Sequence, residues 1–275
     1  MYPKILTVQD ISCVGQCSLT VALPVLSACK TECCILPSAV LSTHTGGFTG
    51  FTFRDLTDDI PAIRSHWEKE NLHFDAVYTG YLGSEKQISF IKDLFSSPIL
   101  LRGKVIVDPA MGDNGKLYKG FDEKYAVSMS TLCKYADVIL PNITEACFMT
   151  GLPYKETYDL GYIVDVLKAL FKLGTKHVIL TGVSLDSDTT GVISASSDSY
   201  DYYKHKKIHK SFHGTGDIFA SAFTGAWMNG KSLTESARIA ADYTVACIEK
   251  TIDDPNHWYG VKFELALDLL SGLIK

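Results

Sequence analysis

Short apolar runs alternate with longer amphipathic segments along this chain, and this alternation limits its fold more than any other feature. Six runs rich in β-branched and apolar residues predict buried strands, at residues 5–8, 33–36, 76–79, 105–107, 138–140 and 178–180. Helical periodicity predicts helices at residues 88–95, 121–133, 160–173 and 233–248. Because strands that alternate with helices form parallel βαβ units, we expect an α/β sandwich with a central, mostly parallel sheet.

The pattern changes after residue 181, where two strand-like segments follow each other without a helix between them. Residues 191–195 and 200–208 predict an antiparallel pair, joined by the turn-forming Ser-Ser-Asp-Ser at 196–199. We therefore expect a small antiparallel edge on the sheet. A length of 275 residues is compatible with one large core, so we expect a single domain over residues 1–275.

Charge and hydropathy exclude several classes of protein. A net charge of −5 and a pI near 5.9 argue against a nucleic-acid partner, which would need concentrated Lys and Arg. The one basic run, from Lys204 to Lys210, is short and is expected to be a solvated strand edge. No stretch approaches the ~18 apolar residues of a membrane helix, so we expect no membrane partner and a cytoplasmic protein.

Cysteine and histidine spacing gives little sign of a disulfide framework or a zinc site. The eight cysteines are scattered, without a Cys-x-x-Cys pair, and we interpret them as buried free thiols. His205, His209 and His213 would share one face of a helix, but their neighbours favour a strand that runs into a loop. We therefore do not expect a zinc site there.

Polar residues follow the predicted strands, at the carboxyl ends where open α/β sheets bind their ligands. These segments are Gln9-Asp10, Ser-Thr-His-Thr-Gly-Gly at 42–47, Gly-Tyr-Leu-Gly-Ser at 80–84, Asp-Pro-Ala-Met-Gly-Asp at 108–113, Pro-Asn-Ile-Thr-Glu at 141–145, and Thr181-Gly182. They are expected to lie along one rim of the sheet and to form a ligand site.

The most informative segment is His-Gly-Thr-Gly-Asp at 213–217, where Gly214 and Gly216 precede Asp217 at the start of a small-residue helix. Backbone N–H groups at a helix start bind phosphate, and a carboxylate beside them could take the proton of a substrate hydroxyl. Alternatively, the glycines form only a turn and Asp217 only caps the helix. Taken alone, the segment is compatible with both interpretations.

The string Gly214-Thr215-Gly216-Asp217 resembles the signature of ribokinase-like kinases, which are three-layer α/β/α sandwiches. In that superfamily the Asp is the catalytic base and the glycines form an anion hole. The segments at 42–45, 79–84, 107–113 and 140–145 resemble the pyridoxal kinase branch, in matching order across most of the chain. The resemblance implies ATP-dependent phosphorylation of the 5′-hydroxymethyl group of a vitamin B6 vitamer (pyridoxal, pyridoxine or pyridoxamine) by a homodimer.

The resemblance also implies roles for individual residues on the nucleotide side. Asp108, Asp113 and Glu145 look like the acidic group that organises the ATP phosphates with Mg²⁺ and often a monovalent cation, K⁺ or Na⁺. Each acid also has an ordinary alternative, as a strand end, a turn cap and a first-turn helix residue respectively. The remaining implied nucleotide contacts are Asn142, Thr181, Gly182, Gly214, Thr215 and Gly216.

On the vitamer side, Thr45 and Tyr81 resemble the family's pyridine-ring contacts, and Tyr118 falls where the family has a loop over the substrate. His44 also matches the family string, although a histidine beside glycines commonly supports a turn instead. One departure concerns Asp10, where most pyridoxal kinases have Ser. Because a carboxylate could pair with a protonated ring nitrogen or an amine, we hypothesise a preference for pyridoxamine or pyridoxine over pyridoxal.

Two other functions are compatible with the same fold. A hydroxymethylpyrimidine kinase of thiamine synthesis would act on a similar ring, although the segments at 42–45 and 80–84, and Gly-Thr-Gly-Asp in place of that enzyme's typical Cys, favour vitamin B6. A non-catalytic vitamer-binding protein would have no need of Asp217 beside an anion hole. ATP turnover distinguishes an enzyme from a binding protein.

Overall fold

The computed structural model describes residues 2–274, and its centre is a nine-stranded sheet. The strands are β1 (Lys4–Ser12), β2 (Glu32–Leu41), β3 (Phe53–Asp55), β4 (Phe74–Thr79), β5 (Leu101–Val107), β8 (Val138–Ile139), β9 (His177–Val183), β10 (Thr189–Ala195) and β11 (Tyr200–Lys206). A separate two-stranded hairpin consists of β6 (Gly112–Asp113) and β7 (Lys116–Leu117). The order in the main sheet is β11-β10-β9-β8-β5-β4-β1-β2-β3. Strands β2, β1, β4, β5, β8 and β9 are parallel, and only the two edges are antiparallel.

Helices cover both faces of the sheet and complete a three-layer sandwich. On one face lie α1 (Leu19–Ala28), α7 (Thr215–Met228), α8 (Leu233–Glu249) and α9 (Leu267–Leu273). On the other lie α2 (Ile60–Lys69), α3 (Glu85–Phe95), α4 (Glu123–Ser130), α5 (Ile143–Thr150) and α6 (Leu160–Phe171). Two 3₁₀ turns, Cys133–Tyr135 and Phe263–Ala266, complete the helical structure of the described residues.

Alternate residues of each central strand enter different cores. In β1, Ile5 packs under α1 and α7, whereas Leu6 packs under the helices of the opposite face. In β5, Ile106 and Val107 divide in the same way. Strands buried on both faces must be apolar at every position, so the sequence shows them as continuous apolar runs. This pattern explains why the predicted parallel strands are confirmed.

The largest differences from the predicted elements lie at their ends. Strand β2 continues to Leu41, because it pairs with β1 on one side and with the short β3 on the other. The helix predicted at 121–133 begins only at Glu123, where Asp122 accepts a hydrogen bond from the N–H of Tyr125, and it ends at Ser130. The predicted antiparallel edge is confirmed, and β11, which carries the start of the basic run, is the outermost strand.

The prediction that all eight cysteines are buried is wrong for half of them. All eight are free thiols, but only Cys29, Cys133, Cys147 and Cys247 are buried, whereas Cys17, Cys33 and Cys34 are partly exposed. Cys13 is exposed, because it lies in the loop after β1. Across residues 2–274, no helix combines the length and the apolar composition that a bilayer crossing requires.

Candidate active site

The glycine-rich segment forms the amino-terminal end of α7, as the sequence predicts. Gly214 is the residue that precedes the helix and has a left-handed backbone, with φ of 77°. A Cβ at this position would overlap the backbone carbonyl oxygen of Gln16, so no other residue fits. A Cβ on Gly216 would meet no protein atom, and the backbone there faces open space. The first N–H groups of α7 are therefore accessible to an anion.

Asp217 is the third residue of α7, so it is not the cap that the alternative interpretation of this segment proposes. Its carboxylate accepts a hydrogen bond from the backbone N–H of Ser18, which has the unusual φ of 54°. Burial raises the pKa of Asp217 to about 7, and the neighbouring charge of Asp10 adds to this shift. A carboxylate with a pKa near neutrality has the proton affinity that suits a general base.

Two further carboxyl groups that the resemblance assigns to the nucleotide lie close together, and one of them, Asp108, is also near Asp217. Burial raises the pKa of Asp108 well above its ordinary value, and the charges of Glu145 and Asp217 raise it further. Burial also raises the pKa of Glu145 to about 8, against the effect of hydrogen bonds from backbone N–H groups. Buried carboxylates whose pKa values are raised by neighbouring acidic groups favour a bound cation.

The carboxylate of Glu145 is held in place by the backbone of the rim. Its Oε1 accepts from the N–H of Met111 at 3.1 Å, and its Oε2 accepts from the N–H of Asn142 at 2.9 Å. The second bond belongs to a capping box at the start of α5, in which Asn142 Oδ1 accepts from the N–H of Glu145. Glu145 therefore fixes the position of the β6–β7 hairpin relative to α5.

Asp113, the third predicted metal ligand, is exposed in the hairpin and accepts two hydrogen bonds from Asn114, at 2.8 Å and 3.0 Å. Its charge still raises the pKa of Glu145. In the part of the chain that the structure describes, no group of three His, Cys, Asp or Glu side chains is placed to hold a metal ion directly. A Mg²⁺ ion at these acids would therefore be bound partly through water, as is usual for this ion.

Asn142 and Thr181 lie side by side at the ends of neighbouring strands, joined by an isolated parallel bridge. The side chain of Asn142 also donates to the carbonyl oxygen of Gly112 at 2.8 Å. Gly182 has φ of 70°, and a Cβ there would face open space. The hydroxyl of Thr215 is close to the carbonyl oxygen of Phe212, at 3.3 Å. The structure thus brings the predicted nucleotide contacts Asn142, Thr181 and Gly182 to one stretch of the rim.

Tyr118 follows the β6–β7 hairpin, whose turn residues Asn114 and Gly115 both have positive φ. Tyr118 is exposed at 45%, and the pKa of its phenol is raised by partial burial and by the charges of Glu145, Asp113, Asp217 and Asp108. The phenol therefore lies above the acidic group. This position is compatible with the predicted loop over the substrate.

Asp10 and Tyr81, two of the predicted vitamer contacts, lie close to each other. Asp10 is buried at the end of β1 and accepts a hydrogen bond from the hydroxyl of Ser12 at 2.8 Å and another from the side chain of Ser18. Burial raises the pKa of both Asp10 and Tyr81, that of Tyr81 to about 12, partly through the charge of Asp10. A carboxyl group beside an aromatic ring suits a flat heteroaromatic ligand.

Thr45 is exposed in the loop between β2 and β3, whereas its neighbour His44 is buried. Gly46 N–H donates to Nδ1 of His44 at 3.0 Å, and Nε2 of His44 lies 2.8 Å from the carbonyl oxygen of Tyr259. Both ring nitrogens of His44 are thus engaged within the chain. Thr45 is exposed to solvent next to this anchored histidine, whereas His44 connects the loop to a distant segment.

Comparison with known proteins identifies the family. The profile of the Phosphomethylpyrimidine kinase family matches residues 26–261, which is most of the chain. The chain belongs to this family. A pyridoxal kinase from Lactobacillus plantarum has 33% identity and a TM-score of 0.91, with 99% of this chain and 98% of that chain covered. This kinase is therefore ribokinase-like, as the Gly-Thr-Gly-Asp segment predicts.

Two further relatives carry the two enzyme names that occur in this family, phosphomethylpyrimidine kinase and pyridoxal kinase. A Bacteroides thetaiotaomicron protein named a phosphomethylpyrimidine kinase, whose orthorhombic form was solved with pyridoxal, has 35% identity and a TM-score of 0.91, covering 98% of this chain and 96% of that chain. The pyridoxal kinase of Dictyostelium discoideum is 28% identical over 272 residues, covering 92% of this chain and 84% of that protein. The chain is thus a kinase of the pyridoxal and hydroxymethylpyrimidine kinase family.

Sequence reasoning missed three residues that the structure of this kinase places at the site. Ser18 contacts both Asp10 and Asp217, and Cys17 is close enough to both carboxylates for their charges to raise its pKa. The fully buried Tyr78 lies near Asp108 and Asp217, beneath α7. Ser18 and Cys17 lie in a short polar run after β1, and this position after a strand could have indicated that they belong to the site. Tyr78 has no such signal, because it belongs to an apolar strand.

Proposed function

We propose that this kinase transfers the γ-phosphoryl group of ATP to the 5′-hydroxymethyl oxygen of a vitamin B6 vitamer. The observation that carries this proposal is the position of Asp217, at an open helix terminus, held by Ser18 and adjacent to Asp10. One carboxylate thereby lies beside both an anion site and Asp10, which we assign to the polar ring of the substrate. This is the arrangement that phosphorylation of a hydroxymethyl group on a heteroaromatic ring requires.

In the proposed reaction, Asp217 accepts the proton of the hydroxymethyl group while its oxygen attacks the γ-phosphorus. The bond from the γ-phosphorus to the β,γ-bridging oxygen breaks, and ADP leaves with the electron pair. The N–H groups at the start of α7, from Gly214 to Asp217, stabilise the charge of the phosphoryl group in transit. Tyr118 and the hairpin before it exclude water, which would otherwise compete for the phosphoryl group.

Mg²⁺ fits the acidic group of Asp108 and Glu145, with Asp113 at its margin, because a cation would offset the charge of Glu145 that acts on the buried Asp108. Bound there, the ion would neutralise charge on the ATP phosphates, and K⁺ or Na⁺ could share this task. Asn142, Thr181 and Gly182 would contact the nucleotide further along the rim.

The choice of vitamer is assigned to Asp10, Tyr81 and Thr45. Asp10 is buried and already accepts from two serines, so it presents a negatively polarised surface to the ring. A protonated pyridine nitrogen or the amine of pyridoxamine would gain from this contact, whereas the aldehyde of pyridoxal would not. We therefore retain the preference for pyridoxamine or pyridoxine as part of the proposal.

A second candidate is phosphorylation of the hydroxymethylpyrimidine of thiamine synthesis, which the name of the matched family favours. Pyridoxine and hydroxymethylpyrimidine share a flat nitrogen ring and a hydroxymethyl group, so the same base and anion hole serve both. An enzyme could therefore distinguish the two alcohols only through its contacts with their rings. Turnover of each alcohol decides between the two candidates.

The deciding experiment measures Mg²⁺-dependent release of ADP from ATP, with pyridoxal, pyridoxine, pyridoxamine and hydroxymethylpyrimidine supplied separately. We expect turnover of at least one vitamer and a loss of about 10²–10⁴-fold in Asp217→Ala, the range for removal of a general base. Asp165→Asn, at an exposed site on α6, is the control. Turnover of hydroxymethylpyrimidine alone would move the function to thiamine synthesis, and no turnover with any alcohol would favour a binding protein.

A further inference from the structure

Residues 257–260, here called the C-terminal strap, contact two of the loops that surround the proposed site. Nε2 of His257 lies 2.8 Å from Oε1 of Gln16, in the loop before α1. The carbonyl oxygen of Tyr259 lies 2.8 Å from Nε2 of His44, and the ring of Trp258 lies 4.6 Å from that of Phe48. His44 and Phe48 belong to residues 42–50, here called the vitamer loop because Thr45 lies within it.

His44 is the hydrogen-bonded connection between the strap and the vitamer loop. Because its Nδ1 accepts from the N–H of Gly46, its Nε2 carries the proton of the neutral ring and donates it to Tyr259. The ring is 5% exposed. It also packs 5.1 Å from the ring of His213, the residue before the anion hole. The imidazole of His44 thus contacts the vitamer loop, the strap and the residue before α7.

Trp258 is the apolar connection. Its ring lies against Phe48 and against the backbone of Gly47, where a Cβ would come within 2.8 Å of it. Phe48 in turn packs edge-on to His44 at 5.0 Å. The aromatic rings therefore hold both ends of the Gly46-Gly47 pair. Two adjacent glycines allow many backbone conformations, so these contacts limit the positions that Thr45 can take.

We propose that Trp258 and Tyr259, acting through Phe48 and His44, are positioning residues that hold the vitamer loop in its substrate-binding conformation. The inference rests on the proposed function for its substrate, a heteroaromatic alcohol contacted by Thr45. Without the strap, the loop must be ordered when the alcohol binds, and the binding energy is reduced by the cost of ordering. On the nucleotide side, these contacts reach only the residues beside the start of α7, through His213 and Gln16, and they do not involve Asn142, Thr181 or Gly182.

The first test uses Trp258→Ala, with Trp258→Phe as the conservative variant. We expect the KM for the vitamer to rise about 2- to 10-fold in Trp258→Ala, the effect of losing one aromatic pair, while kcat and the KM for ATP change less than ~2-fold. Trp258→Phe should restore most of the wild-type KM. The matched control is Trp67→Ala, because Trp67 packs edge-on to Phe74 at 5.4 Å on the opposite face of the sheet.

A second test separates the two bonds of His44. In His44→Gln, the side-chain amide can still donate to Tyr259, whereas in His44→Asn the shorter amide can replace only Nδ1 and face Gly46. The inference predicts a vitamer KM near that of the wild type for His44→Gln and a raised KM for His44→Asn. Equal vitamer KM values in the two variants would overturn it.

Amide hydrogen exchange in the substrate-free protein tests positioning independently of the reaction. Exchange of residues 42–50 should be faster in Trp258→Ala than in the wild type and unchanged in Trp67→Ala. Unchanged exchange in Trp258→Ala would overturn the inference, and so would faster exchange with no change in the vitamer KM. If the wild type phosphorylates neither a vitamer nor hydroxymethylpyrimidine, the proposed function fails, and exchange alone then decides whether the strap orders the loop.

Discussion

The backbone N–H of Ser18 donates a hydrogen bond to the carboxylate of Asp217 and so fixes the proposed base from a loop 199 positions earlier in the chain. This bond favours the ionised carboxylate, but burial outweighs it and raises the pKa of Asp217 to about 7. A base must be unprotonated to act. We therefore expect kcat/KM to fall about tenfold per pH unit below pH 7, as measured by ADP release between pH 5 and 9. A flat profile down to pH 5 would contradict the assignment of Asp217.

The same pKa predicts how Asp217 affects stability. Folding raises the pKa of Asp217, so the folded state binds a proton more tightly than the unfolded state does. This proton stabilises the fold fully below the ordinary pKa near 4, and the stabilisation is lost as the pH rises through 7. Because Asp217 is only partly buried, its raised pKa is discounted for solvent screening, and Asp217→Asn should be inactive yet more stable than the wild type by about 1–2 kcal/mol at pH 8. Urea unfolding at pH 8 and pH 4 measures this. A difference that is larger at pH 4 would refute the explanation.

Gly214 and Gly216 should respond in opposite ways to the same substitution. Gly214→Ala places a Cβ on the Gln16 carbonyl at a positive φ, so we expect a loss of stability of about 2 kcal/mol or more. Gly216→Ala meets no protein atom and should be stabilising by about 0.5–1 kcal/mol, because alanine favours the helix.

The added methyl group of Gly216→Ala would point into the space that a phosphate requires. Its KM for ATP should rise, whereas its KM for the vitamer should not. Thermal unfolding together with steady-state kinetics gives both results. An unchanged KM for ATP would mean that the phosphates do not bind at this helix terminus.

Asp10 should decide the ranking of the vitamers. Asp10→Ser removes the buried charge, so kcat/KM for pyridoxamine and pyridoxine should fall relative to pyridoxal, by about tenfold, the scale of one charge-assisted hydrogen bond. Asp10→Asn keeps the size of the side chain and should shift the ranking in the same direction. Competition between pairs of vitamers measures the ratio directly, and an unchanged ranking in both variants would remove Asp10 from the specificity argument.

Tyr78 should support catalysis without contributing to stability. Its hydroxyl is fully buried beside Ser221 and Gln9 and has no well-directed hydrogen bond among the described residues. Removing such a hydroxyl is close to neutral for folding, so Tyr78→Phe should keep the thermal midpoint within about 2 °C. Because the phenol faces Asp108 and Asp217, kcat should fall several-fold.

The control for Tyr78 is Tyr243→Phe. Tyr243 is a second buried tyrosine of the same core, and its hydroxyl donates to the carbonyl oxygen of Phe263 at 3.2 Å, away from the site. Its removal should lower stability and leave kcat unchanged. If Tyr78→Phe lowers stability and leaves kcat unchanged, the hydroxyl of Tyr78 has only a structural role.

The sequence by itself determined the layer architecture and the rim. Continuous apolar runs such as residues 105–107 specify strands buried on both faces, and polar residues directly after them specify the ligand edge, because both depend on local pattern. The Gly-Thr-Gly-Asp segment identified the helix terminus and Asp217 for the same reason. Family-specific strings extended this to Asp108, Asn142 and Glu145, which the structure does bring close together.

Tertiary structure alone decided which distant residues meet. Nothing local indicates that Ser18 binds Asp217, that Tyr78 turns its hydroxyl beneath α7, or that Tyr259 accepts from His44 across 215 positions. Each of these contacts depends on strand order and on where a loop crosses the sheet edge, which periodicity does not encode. The raised pKa of Asp217 could not be predicted from the sequence either, because burial depends on how the whole chain packs and not on the residue itself.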